Sequence, residues 1–185
     1  MPTRLPDFPL VSAGPATVGC RGRGMTSYHE VALWALQLPY GRGADRDDLA
    51  ILHEGRGTCS TKHALLARLA REHGVDVELV LGIYLMDGHN TPGVGSVLAA
   101  HGLTAIPEAH CVLRWNGQYI DLTRAGAREP SFIHEERIRP EDIVTHKVAI
   151  HRRFLAQWMT TNLPGWTLDS VWRVREACIA ALAGT

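Results

Sequence analysis

A cysteine, a histidine and an aspartate stand at addresses from which they could share one piece of nucleophilic chemistry. Cys59 ends the stretch Glu54 to Cys59, where a glycine-flanked loop turns into an amphipathic helix. The first N–H groups of a helix have no intrahelical partner, and the helix dipole is positive there. Both effects favour thiolate over thiol, and thiolate is the attacking species. The same N–H groups can receive the oxyanion that forms when sulfur adds to a carbonyl. Gly55 and Gly57 leave room for a substrate to approach the backbone. A small residue packed at a helix start is the plainer account of Cys59, so a catalytic role requires a base and a group that orients it.

The segment Ala109 to Thr123 supplies candidates for both. Two strand-like runs flank Asn116-Gly117, the favoured two-residue hairpin turn. That turn pairs Trp115 with Gln118, Arg114 with Tyr119, Val112 with Asp121, and His110 with Thr123. Alternation then sets His110, Val112 and Arg114 on one face, together with Tyr119, Asp121 and Thr123. His110 and Asp121 become diagonal neighbours, roughly 7–8 Å apart at the backbone. A carboxylate there fixes the imidazole tautomer and supports the imidazolium, the third-member role of a nucleophile–base–acid triad. A one-residue slip in register would send one partner to the opposite face. Arg114 and Tyr119 share the triad face and are candidates for substrate contact, with ordinary cross-strand pairing as the alternative.

Two other chemistries use some of the same residues. Cys59 and His63 stand at i, i+4 on one helix face and, with His110 and Cys111, could form a mixed Cys/His zinc site. Adjacent residues of a strand point to opposite faces, which sets His110 against Cys111 as joint ligands, so no metal and no other cofactor is expected. A non-enzymatic binding module on the same fold is the other alternative. Cys111 alternates away from the triad face, and Cys178 falls on a helical apolar stripe, so both read as core.

These groups must be positioned by regular elements. Residues 1–24 are rich in Pro and Gly and read as an irregular N-terminal segment. Residues 25–185 read as a single domain. Ser27 to Glu30 forms a capping box ahead of Val31, Trp34, Ala35 and Leu38 at helical spacing. Asp45 is placed to cap a short helix that stops near Gly55. The next helix starts at Thr58 or Cys59, carries Leu65, Leu66, Leu69 and Ala70, and stops at Gly74. Val75 to Met86 reads as a strand. Asp87 to Ile106 reads as a flap, or as a loop with a short helix near Val97. A strand is expected at Ile143 to Ile150, then helices from Arg152 to Thr161 and from Leu168 to Leu182.

A Gly-x-Cys at a helix start, followed by a strand and then a His-bearing hairpin with an Asp after its turn, resembles the transglutaminase-like superfamily of papain-like thiol enzymes. The residues that carry the resemblance are Gly55 to Val75 and Glu108 to Thr123, about a third of the chain. The resemblance implies a Cys59–His110–Asp121 triad. It also implies an α+β fold, with the catalytic helix packed on an antiparallel sheet and helices completing the C-terminus. The implied activity is acyl transfer from amide bonds, as a peptidase, amidase or cross-linking transferase, on a peptide or other amide-containing substrate. Gln37 and Tyr40 lie upstream, where papain-like enzymes often keep a second oxyanion donor. Many members carry a tryptophan soon after the histidine; here Cys111-Val112 follows His110.

Composition narrows the field from outside. The 185 residues are 45% apolar and 21% charged, ordinary for one globular domain. Lys+Arg and Asp+Glu are equal at 19 each. No basic run or aromatic-basic stripe points to nucleic acid, and no apolar run approaches a membrane span. The start of the chain lacks a continuous apolar stretch of the secretory type. The four cysteines are widely spaced, without CxxC. A reducing, cytoplasmic setting is therefore expected.

Overall fold

The computed structural model describes residues 4–126 and 131–182. Its elements run α1 (Pro15–Arg21), α2 (Tyr28–Gln37), α3 (Ile51–Glu54), α4 (Cys59–Glu72), β1 (Glu78–Asp87), α5 (Gly95–Ala100), β2 (Ala105–Trp115), β3 (Gln118–Ile120), β4 (His134–Ile138), α6 (Thr145–Asn162) and α7 (Leu168–Leu182). A 3-10 turn, Pro140–Ile143, precedes α6. The architecture is mixed: the described residues form seven helices and a four-stranded antiparallel sheet in the order β3-β2-β1-β4, as an α+β fold requires. β1 and β2 lie inside the sheet and read as near-continuous buried runs. The edge strands are managed differently: β3 is three residues long, and β4 reads His-Glu-Glu-Arg-Ile, a charged edge that discourages further pairing.

The chain divides into two compact units of interleaved segments. The first comprises residues 1–81, 111–129 and 136–144. Its centre is α4, against which α1, α2, α3 and the 3-10 turn all pack. The ends of α4 are closed by sequence-local devices. Thr58 and Thr61 form a reciprocal capping box at the start. At the far end Gly74 takes a left-handed conformation (φ 68), while its N–H and that of Val75 return to the carbonyls of Arg71 and Ala70. The expected capping box of α2 also forms, with Ser27 accepting from the Glu30 N–H and Glu30 accepting from Ser27.

Two expectations for this unit need correcting. Residues 1–24 are not simply irregular, because they contain α1. Its Ala16 and Thr17 N–H groups are capped by the Glu72 carboxylate of α4, at 3.0 and 2.8 Å. Asp45 does not cap a helix; its N–H donates to the Glu54 side chain, and α3 starts later, at Ile51.

The second unit comprises residues 82–110, 130–135 and 145–185. Within it α7 packs on α5 and α6. The short helix expected near Val97 is α5. The strand expected at Ile143 to Ile150 is not formed: the 3-10 turn ends at Ile143 and α6 begins at Thr145. The β-branched residues there suggested a strand, but the buried positions Lys147, Ile150, His151, Leu155 and Met159 repeat at helical spacing, and burial of that stripe decides the outcome. The strand β4 lies further upstream, where there is no apolar alternation to reveal it. Close approach also shapes this unit: a Cβ on Gly82 would stand 2.2 Å from the Phe132 ring.

Candidate active site

Cys59 is the first residue of the 14-residue α4. The loop before it is held by a parallel bridge between Tyr40 and Gly57, with hydrogen bonds from Gly57 N–H to Pro39 and from Gly41 N–H to Gly57. The thiol therefore sits on a fixed turn. Its Sγ is 3.9 Å from the Ser60 hydroxyl. Cys59 is 7% exposed, whereas Cys20, Cys111 and Cys178 are each 0% exposed, so the four cysteines are not equivalent. Burial, with a smaller contribution from Glu72, pushes the Cys20 thiol up to about 12. Burial likewise raises Cys178 to about 11.

The hairpin forms with the anticipated turn. Asn116 and Gly117 both have positive φ (49 and 73), as a tight two-residue turn of this hand demands. Arg114 faces Tyr119 and Trp115 faces Gln118, with Leu113 opposite Ile120. The two further pairs expected from that register, Val112 with Asp121 and His110 with Thr123, lie beyond the end of β3 at Ile120. Asp121 instead opens a side-chain turn: its Oδ1 accepts the Thr123 N–H at 2.8 Å.

That turn is pinned to the thiol-bearing end of α4, and the pin is His63. The Leu122 N–H donates to His63 Nε2 at 2.7 Å. Because a backbone N–H can only donate, Nε2 is the bare nitrogen, and Nδ1 carries the proton it gives to the Cys59 carbonyl at 2.7 Å. Asp121 Oδ1 lies 3.7 Å from Nε2. With no proton on that nitrogen the contact is not an ion pair. His63 is thus a neutral bracket with both nitrogens engaged, which leaves no ring nitrogen for the zinc ion considered above.

Lys62 makes a second tie between the same two segments. Its ammonium donates to Leu38 O at 2.8 Å and to Thr123 O at 2.9 Å. Burial draws its pKa down to about 8; Arg124 adds to the fall, while Asp121 and Cys59 oppose it. The Thr123 hydroxyl is buried without a hydrogen-bond partner among the described residues.

The remaining candidates each have surroundings of their own. His110 belongs to the second unit, at the end of its share of β2, and meets Tyr84 edge-on with ring centroids 6.0 Å apart. Arg114 forms an ion pair with Glu78 of β1. Tyr119 is half-buried opposite it. Tyr40 lies beside the loop that leads to Cys59, with the Arg124 guanidinium 4.6 Å above its ring. Gln37 is exposed at the last residue of α2. Sequence reasoning missed Lys62 as a member of the site and left His63 without a defined task. The available signal was their spacing from Cys59, at i+3 and i+4, on a helix whose other buried positions are mostly apolar or small.

Among the described residues no group of His, Cys, Asp and Glu is arranged to hold a metal, and no helix is long and apolar enough to cross a membrane. Comparison with family models, curated proteins and solved structures gave no match.

Proposed function

We propose that the protein is a cysteine-dependent acyl-transfer enzyme of the transglutaminase-like type, with Cys59 as nucleophile, His110 as base and Asp121 as the group that orients the base. The observation that carries the reading is the placement of Cys59 at the mouth of α4, on the turn to which His63 ties the Asp121 segment. A helix mouth lowers the cost of a thiolate, and a nearby carboxylate held by its own backbone turn is preorganised to support an imidazolium.

In the proposed cycle His110 takes the Cys59 proton and sulfur attacks an amide carbonyl, forming the C–S bond. The Cys59 N–H receives the oxyanion. The intermediate collapses with loss of the amine, which leaves with the proton from His110. Water, or a second amine, then gives its proton to His110 and attacks the thioester. The C–S bond breaks, and the sulfur regains its proton. The substrate is a peptide or another amide, and the setting is the cytoplasm, where the thiol stays reduced.

The test is the pH dependence of Cys59 alkylation in the native protein, in His110→Ala and in Asp121→Asn. The triad requires an acidic thiol whose depressed pKa is lost with His110 and weakened with Asp121. The same profile in all three proteins would overturn it. A Cys59 no more reactive than a model thiol would favour a binding module.

A further inference from the structure

A lysine is an improbable occupant of a turn with no exposure. Lys62 is 0% exposed, as is its neighbour His63. An ammonium taken out of water costs several kcal/mol unless it is hydrogen-bonded and faces negative charge. Two backbone carbonyls, Leu38 O and Thr123 O, meet the first need. Neutral carbonyls do not meet the second. The acidic groups that favour the charged ammonium are the Asp121 carboxyl and, once ionised, the Cys59 thiol, set against the cation of Arg124; His63, the other titratable group on the same turn, is held neutral by its two bonds.

Covalent placement agrees. Cys59 and Lys62 stand at i and i+3 on α4, so their side chains rise from neighbouring points of one face. The bond to Thr123 O draws Nζ toward the turn that Asp121 opens, since the Thr123 N–H is held by Asp121 Oδ1. A long, flexible side chain is thereby fixed at its tip, with the thiol on its own helix and the carboxylate on the facing segment.

We propose that Lys62 is a positioning residue for the nucleophile: its anchored ammonium stabilises Cys59 as thiolate and shares its charge with Asp121. The inference rests on the reading of Cys59 as the nucleophile and adds to it a source of thiolate stability that does not pass through His110. Lys62 moves no proton in the cycle and touches no substrate atom. Its depressed pKa means that its support is present at neutral pH and fades as pH rises past about 8.

The experiment is site-resolved alkylation by iodoacetamide between about pH 5 and 10, read by mass spectrometry on the Cys59 peptide. It compares the native protein with Lys62→Gln, Lys62→Arg and His110→Ala. Glutamine keeps a donor for the carbonyls and removes the charge; arginine keeps the charge. Lys62→Gln is expected to raise the apparent thiol pKa by about one unit and slow alkylation at neutral pH about ten-fold, with Lys62→Arg within about three-fold of the native rate. An unshifted profile in Lys62→Gln overturns the role of Lys62. A shift in Lys62→Gln with none in His110→Ala overturns the triad and leaves Lys62 in place, so the two failures are distinct. Should Lys62→Gln not fold, reciprocity provides the second measurement. The 15N NMR titration of the Lys62 ammonium should move to lower pH in Cys59→Ser, and identical titrations in the two proteins would overturn the proposal.

Discussion

His63 holds the Leu122 N–H on Nε2 and the Cys59 carbonyl on Nδ1, each at 2.7 Å, so one ring joins the start of α4 to the segment that follows β3. It is 0% exposed, and Leu122 is 1% exposed. Replacing it with leucine leaves the Leu122 N–H buried without an acceptor. That loss is expected to cost about 1–3 kcal/mol. Urea denaturation of His63→Leu measures it. His63→Gln, which can still accept, should lose less; equal stability for the native protein and His63→Leu would show that the bracket carries no weight.

Thr123 offers the opposite experiment at the same turn. Its backbone is fully used, by Lys62 at the carbonyl and by Asp121 at the N–H, but its buried hydroxyl has no partner among the described residues. Thr123→Val keeps the shape and both backbone bonds and replaces the hydroxyl with a methyl. Removing an unsatisfied buried polar group is expected to leave stability unchanged or raise it by about 1 kcal/mol. A drop of similar size in the urea midpoint would mean that the hydroxyl is engaged in solution.

The cysteines should separate by accessibility. With Cys20 raised to about 12 and Cys178 to about 11, and with Cys111 at 0% exposure, none of the three offers thiolate to solvent at neutral pH. A thiol count with Ellman's reagent should find one fast group in the native protein and four after unfolding in guanidinium. Peptide mapping should place the fast group at Cys59. Fast labelling of any other cysteine, or none at all, contradicts the assignment.

What could be read from the sequence were the features whose causes are local. The hairpin turn is set by Asn116 and Gly117, which alone must accept positive φ. The boundaries of α4 follow from Thr58, Thr61 and Gly74, all within a few residues of the ends they close. The features not legible depend on distant partners. α1 is capped by Glu72, a residue 56 positions from Ala16. The burial of Lys62 and His63 depends on carbonyl and N–H groups at Leu38, Leu122 and Thr123. Register was extended correctly for the pairs next to the turn. Beyond Ile120 the strand ends and the Asp121 side chain takes up the Thr123 N–H, a competition between side chain and ladder that residue types alone do not decide.

The second unit contains a buried charge cluster whose pH response has a definite sign. Glu108, 5% exposed, accepts two bonds from the Arg175 guanidinium. Burial opposes its charge, but Arg175, His151 and Lys147 outweigh burial and hold the carboxyl below its ordinary value. His151 donates to Pro107 O at 2.9 Å. Burial lowers its pKa; the pull of Glu108 against this is insufficient, and Arg175 and Lys147 add to the fall. For both groups the folded pKa lies below the unfolded one, so the unfolded chain binds more protons as pH falls and stability is lost toward acid. The His151 share is present above its unfolded value of about 6.5 and disappears below it; the Glu108 share disappears below about 4.3. Calorimetric unfolding should therefore show a midpoint that falls in two stages. His151→Gln, which keeps a donor for Pro107, should remove the first stage and leave the second. Glu108→Gln should instead destabilise the protein at neutral pH, by about 3 kcal/mol, because Arg175 loses its buried partner and keeps only the more exposed Glu176 carboxylate. A midpoint that stays level as pH falls through the His151 window in the native protein would show that this histidine is not held neutral by burial.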